Sequence, residues 1–178
     1  PAFHEANPDI NLHLVAAGGP IDFARSGVDL ALRRDDFHWE PDIYAEKVCE
    51  EWVGPVSRVK KSINDNFEGV CLLHAGTRPH AWPTWEKLSN ISTKGSGRVE
   101  YEHFYLCIQA AVSGLGIAMA SFLMVQDELE SGQLHASYGF LLDGSAYYLL
   151  SPESLGMNNK CARFQSWLKQ EMAACLQS

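Results

Sequence analysis

The sequence predicts an α/β protein folded as two lobes joined by two extended stretches. Three observations carry that expectation. The first is Val112–Leu134, VSGLGIAMASFLMVQDELESGQL. It reads as a helix end, a glycine turn, a short buried strand, a second helix and a glycine stop. A helix-strand-helix unit of this kind belongs in a parallel α/β sheet. The second is that strand and helix patterns alternate along the chain. The third is a pair of extended stretches near 53–57 and 140–150, placed to bridge two lobes. A cleft between lobes is a usual place for a small ligand.

The elements follow in order. Pro1–Ala6 reads as the tail of a helix, closed by Asn7-Pro8. Ile10–Ala17 alternates apolar and polar residues, a strand pattern. Gly18-Gly19-Pro20 is a turn, and Ile21–Ser26 a short helix ended by Gly27. Val28–Leu32, VDLAL, reads as a buried strand, and Arg33–Asp42 as polar and irregular. Tyr44–Val53 is extended, with Gly54-Pro55 punctuating it. Val70–Leu73 is a buried strand and Trp82–Leu88 a short helix. Val99–His103 reads as a strand and Phe104–Ser113 as a helix. Ile117–Ala120 is a covered strand. Phe122, Val125 and Leu129 then recur at helical spacing through Ser121–Ser131. Leu134–Leu141 and Ala146–Leu150 are late strands. Lys160–Leu176 is an amphipathic helix marked by Phe164, Trp167, Leu168 and Met172.

Composition narrows the class. The chain has 178 residues, 46% hydrophobic and 20% charged, so it is globular and long enough for a real core. The net charge of −8 argues against this segment gripping nucleic acid by itself. No apolar run approaches the roughly 20 residues that span a bilayer. The five cysteines are odd in number and form no CxxC pair, which points to a reducing cytoplasm.

No catalytic motif is present: no GxSxG, no HExxH, no phosphate-binding loop. Gly114-Leu115-Gly116 is a fragment of a dinucleotide fingerprint whose third small position falls on Met119. The seven histidines are scattered without metal-ligand spacing. The expectation is therefore a protein with no cofactor and no metal, and not an enzyme. Placement still singles out residues, because ligands of open α/β sheets collect at strand carboxyl ends. Arg34 follows VDLAL, where a solvated charged turn is the plainer reading. His74 ends VCLL, where a core histidine is plainer. Ser121 follows IAMA and equally suits a helix cap. His103 and Phe104 open a helix whose amides favour anions. Trp82 and Trp85 share a helix face and suit core packing. Tyr147 and Tyr148 are strand neighbours, so one of them faces the core or a cleft.

Six segments then occur in a telling order: IDFARSGVDLALRRDD, EEWVGPVS, WPTW, CIQAAVSGLGIAMASFLMVQDELESGQL, SAYYLLSP and FQSWL. Together they resemble the effector-binding domain of LysR-type transcriptional regulators, and most nearly the glycine-cleavage-activator-like branch. The resemblance covers essentially the whole chain. It departs at Ser57-Arg58-Val59, where the family often has Cys-Ser-Pro.

The resemblance implies a two-lobed fold like the type 2 periplasmic binding proteins, with two crossover strands. Lobe I would hold 1–55 and 142–178, and lobe II 56–141. The first strand of lobe I and the N-terminal helix-turn-helix domain would lie outside this chain. The cleft would bind a small-molecule effector, with an anion favoured. His103, Phe104, Ser121 and Tyr147 would line it, with Arg34 and His74 near its rim. Promoter DNA would be a partner only through the helix-turn-helix domain, and a membrane not at all. Homodimers or tetramers would form with the strand Ile10–Ala17 against the partner's helix Ser121–Ser131. Leu12, Leu14, Phe122, Met124, Val125 and Leu129 are the interface candidates. A periplasmic solute receptor of the same fold class is the alternative.

Overall fold

The structure is a computed structural model that describes residues 2–16, 21–36, 38–62 and 66–176, with Met157 described by its backbone. The elements are α1 (Ala2–Ala6), α2 (Phe23–Ser26), β1 (Ala31–Arg34), β2 (Tyr44–Val56), β3 (Cys71–Ala75), α3 (Ala81–Ser89), β4 (Gly97–Tyr101), α4 (Phe104–Val112), β5 (Ile117–Ser121), α5 (Gln126–Glu130), β6 (Leu141–Ser151) and α6 (Asn159–Cys175). The strand order is β1-β6-β2-β5-β3-β4, a mixed six-stranded sheet. The chain divides into two compact units. Unit 1 comprises Pro1–Glu50 and Ser145–Ser178, and unit 2 comprises Glu51–Gly144.

Unit 2 carries the helix-strand-helix signal. β3 pairs in parallel with β4 and with β5. The last residues of β2 run antiparallel to β5, from Val53↔Ser121 to Val56↔Ala118. All five residues of β5 are buried, as a continuous small apolar run requires. The turn before β5 depends on two glycines. Gly114 has φ of 81°, a left-handed conformation that suits glycine. A Cβ on Gly116 would stand 2.4 Å from the carbonyl oxygen of Cys71. Trp85 and Phe67 are fully buried, and the Trp82 indole nitrogen donates to Leu73 O at 3.1 Å. The paired tryptophans are thus core residues, as their spacing suggests.

Two readings are corrected in this unit. Leu134–Phe140 is not a strand; it turns at Gly139 (φ 69°) and pairs by one bridge, Ser57↔His135. A single strand, β6, runs from Leu141 to Ser151. The helix expected over Ser121–Ser131 is broken into a 3-10 turn, Phe122–Met124, and α5. Val125 lies between them at φ −130°, outside the helical region, and its side chain is fully buried in the core of this unit.

Unit 1 is more open. β1 is antiparallel to β6, in the register Ala31↔Leu150 to Arg34↔Tyr147. VDLAL is corrected here: β1 begins at Ala31, includes Arg33 and Arg34, and sits at the sheet edge, so only Ala31 of the strand is fully covered. Ile10–Ala17 is corrected too. Residues 10–16 form no strand, Ile10 is buried and Leu14 is 82% exposed; Ala17 lies outside the described residues. Alternation without a neighbouring strand cannot make a ladder. The core gathers Leu149, Leu155 and Cys161, with Phe164 and Leu168 of α6 packed against them. Phe3 of α1 meets Phe164 and Trp167 edge-on, each at 5.2 Å. Asn158 caps α6 by accepting from the Lys160 and Cys161 amides.

Candidate functional site

The alternation that buries Cys49 and Val53 of β2 also puts the residue between them inward, and that residue is Glu51. It is fully buried. A bare carboxylate there would be costly, so it must be matched. Arg78 Nη1 lies 3.1 Å from one of its oxygens, and the Ser121 hydroxyl donates to the other at 2.6 Å. The Arg78 guanidinium also lies 4.0 Å over the centre of the Phe104 ring, a cation–π stack. Four elements of unit 2 meet in this cluster: β2, the end of β5, the loop after β3 and the first turn of α4.

Sequence-encoded geometry brings them together. β3 and β5 are parallel, so their carboxyl ends share one edge. The loop after β3 is tied to the loop after β4, where Gly76 N donates to Tyr101 O at 2.8 Å and Thr77 N to Glu102 O at 3.2 Å. Arg78 N then donates to Ala75 O at 3.0 Å, closing a turn that aims the side chain at Glu51. Among the cluster's members, Arg78 reaches solvent most, with its side chain 14% exposed. Ser121 is wholly buried and its hydroxyl proton is committed to Glu51.

The expected site residues separate accordingly. Phe104 and Ser121 join the cluster, but as backing for Arg78. His74 instead takes part in a surface group, where its Nδ1 accepts from Arg98 at 2.9 Å, which leaves the proton on Nε2 of the neutral ring. Burial, then the Arg98 charge, hold His74 below the usual histidine range. His103 stacks on Tyr105 at 5.7 Å and stands 3.7 Å from a Glu102 oxygen. In unit 1, Arg34 donates to Ser145 at 2.7 Å and pairs with Asp36 at 2.9 Å; Tyr147 is its register partner across the ladder. Two open hollows of unit 1, about 380 Å³ beside Trp167 and about 430 Å³ beside Trp39, are lined by mixed apolar and polar residues, with Ala162 and Arg163 in the first and Phe23, Ile43 and Arg33 in the second. The buried charged cluster lies in unit 2.

Sequence reasoning missed Glu51 and Arg78. The available signal was a charged residue on the inward phase of an apolar strand. Of the interface candidates, Leu12, Leu14 and Met124 are exposed, Phe122 and Leu129 half-buried. Val125 has no surface to offer a partner, because it is core.

The model of one protein family, described as the LysR substrate binding domain, matches residues 1–173. This chain belongs to that family. The LysR domain is 30% identical to the HTH-type transcriptional regulator TrpI of Pseudomonas aeruginosa, covering 96% of this chain and 60% of that protein. It is 28% identical to the glycine cleavage system transcriptional activator of Escherichia coli, covering 97% of this chain and 59% of that protein. The chain thus spans about three-fifths of these relatives. Both are named as transcriptional regulators. The effector domain of AmpR from Pseudomonas aeruginosa has the same fold, with a TM-score of 0.77 at 21% identity over 97% of this chain and 86% of that one. The regulatory domain of CrgA from Neisseria meningitidis matches with a TM-score of 0.69 at 20% identity, over 96% and 88%. The LysR resemblance and the periplasmic-binding-protein-like fold read from the ordered motifs are therefore met. Among the described residues, no helix is long and apolar enough to cross a membrane.

Proposed function

We propose that this LysR domain senses a small anionic metabolite at the edge of unit 2 where Arg78 emerges, and that binding tunes a promoter-bound regulator in the cytoplasm. The observation that carries the reading is the buried Glu51–Arg78–Ser121 group at the carboxyl ends of β3 and β5. A guanidinium held on a ring face and backed by a buried carboxylate is preorganised to donate to an anion. Arg34 and Tyr147 of unit 1, and His103 and His74 of unit 2, remain further candidate contacts. DNA binding would come from a helix-turn-helix domain, as in the relatives' names. Self-assembly would use the exposed Leu12, Leu14 and Met124 with Phe122 and Leu129.

A thermal-shift screen of metabolites on the chain tests the sensing role. A bound effector at a hundredfold excess over its Kd stabilises by about 2.7 kcal/mol, a shift easily read. Anionic compounds are expected to raise Tm, and Arg78→Lys to weaken that rise, since lysine cannot supply the planar fork. A library in which no compound shifts Tm would remove the reading. Light scattering on Met124→Lys tests assembly; an unchanged dimer contradicts the proposed surface.

A further inference from the structure

We infer that Glu51 is a positioning residue that restricts the effector to a molecule presenting one carboxylate, and that it excludes polyanions such as phosphates and dicarboxylates. The inference rests on the small-anion reading above. Glu51 is fully buried and holds Arg78 at 3.1 Å, while Arg78 is the cluster's solvent-reaching member. The charges of this pair cancel. An arriving ligand therefore meets a directional donor without a net positive charge behind it. A single carboxylate matches that donor by geometry and brings one charge, whereas each further negative charge finds the buried carboxylate of Glu51 and no second cation within the cluster.

The same arrangement assigns Ser121. Its hydroxyl donates to the second oxygen of Glu51 at 2.6 Å, which fixes the rotation of the carboxylate. With one oxygen fixed by Ser121, the other holds the guanidinium over Phe104. Ser121 thus acts on the ligand through Glu51 and Arg78. The anchor is set from behind by two side chains with no exposed surface.

Calorimetric titration of the chain with three sets of probes tests this: L-α-amino acids and short monocarboxylates; the matching amides; and inorganic phosphate with succinate. A monocarboxylate is expected to bind, its amide to lose at least about tenfold in affinity, and phosphate and succinate to give no heat. Glu51→Gln keeps the shape and removes the charge. It is expected to free the guanidinium from its fixed direction and leave its charge uncancelled, so that the preference for the monocarboxylate over phosphate and succinate falls about tenfold. Should Glu51→Gln not fold, Glu51→Asp and Ser121→Ala carry the same test, with a loss of preference of about threefold or more expected from Ser121→Ala. Unchanged preference in these variants assigns the pair a structural role and overturns the inference. Binding of phosphate or succinate, or failure of every monocarboxylate while another library compound binds, also overturns it and leaves the sensing role standing. If no small molecule binds, the sensing role itself falls.

Discussion

The two units bury charge in opposite ways. Unit 2, whose core gathers Trp82, Trp85, Phe67, Leu72 and Leu73, also holds an ion pair whose carboxylate, Glu51, is fully buried and whose guanidinium, Arg78, stacks on the core ring of Phe104. Unit 1 has a smaller core and places its ion pairs where water reaches them: Arg163 with Asp9 at 2.8 Å, and Lys169 with Glu46. In the Glu51–Arg78 pair of unit 2 the charges are parts of the packing, unlike the exposed Arg98–Glu100 pair of the same unit. In unit 1 they pin α6 to the chain segments beside it and respond to salt and pH. A site that must hold a donor in one direction belongs in the first setting.

That contrast can be broken most strongly at Trp85. Trp85→Ala removes a fully buried indole that packs against Phe67 and Tyr138, and is expected to destabilise by about 3–5 kcal/mol in chemical denaturation. Arg78→Ala is expected to come next, at about 3 kcal/mol, because it strands the buried Glu51 carboxylate; a double variant with Glu51→Leu should recover much of the loss. Gly116→Ala forces a Cβ toward the Cys71 carbonyl and should cost about 1–3 kcal/mol. Equal and small losses at all three positions would erase the distinction between the units.

Smaller effects are expected in unit 1. Arg163 holds Asp9, and Lys169 holds Glu46, below the usual carboxylate range. A carboxylate lowered in the native state contributes stability that is present above its unfolded value and lost as pH falls through its native value. Limited proteolysis should therefore release α1 and α6 first below about pH 4, and high salt should have a similar, weaker effect at neutral pH. Unit 2 should resist both longer. The least effect concerns thiols. Burial pushes Cys107 up to about 11, so it should resist alkylation at neutral pH while the half-buried Cys71 reacts. Equal reactivity would mean that the α4 core opens readily.

Much of unit 2 was legible in the sequence because its signals are local. Gly114 and Gly116 mark a turn, Ile117–Ser121 is a fully covered strand, and Phe104–Val112 shows its buried face by spacing. The failures came where a pattern needs a partner that the pattern does not name. Ile10, Leu12 and Leu14 alternate, yet among the described residues no strand pairs with them. VDLAL is apolar, yet β1 sits at the edge and starts three residues later. The helix after Ser121 fails at Val125, where core packing overrides the helical stripe. The candidate site was half legible. Strand-end reasoning found Ser121 and Phe104, but the residues they support are Glu51, hidden as one charge in a long strand, and Arg78, which is placed by a loop.

Hydrogen exchange on the chain, with and without a monocarboxylate that the titrations identify, tests the central claim most directly. The expected result is slowed exchange in unit 2 at the loop 76–80, the start of α4 and the end of β5. Slowed exchange confined to unit 1, with the amides around Arg78 unaffected, would contradict the assignment of the effector site.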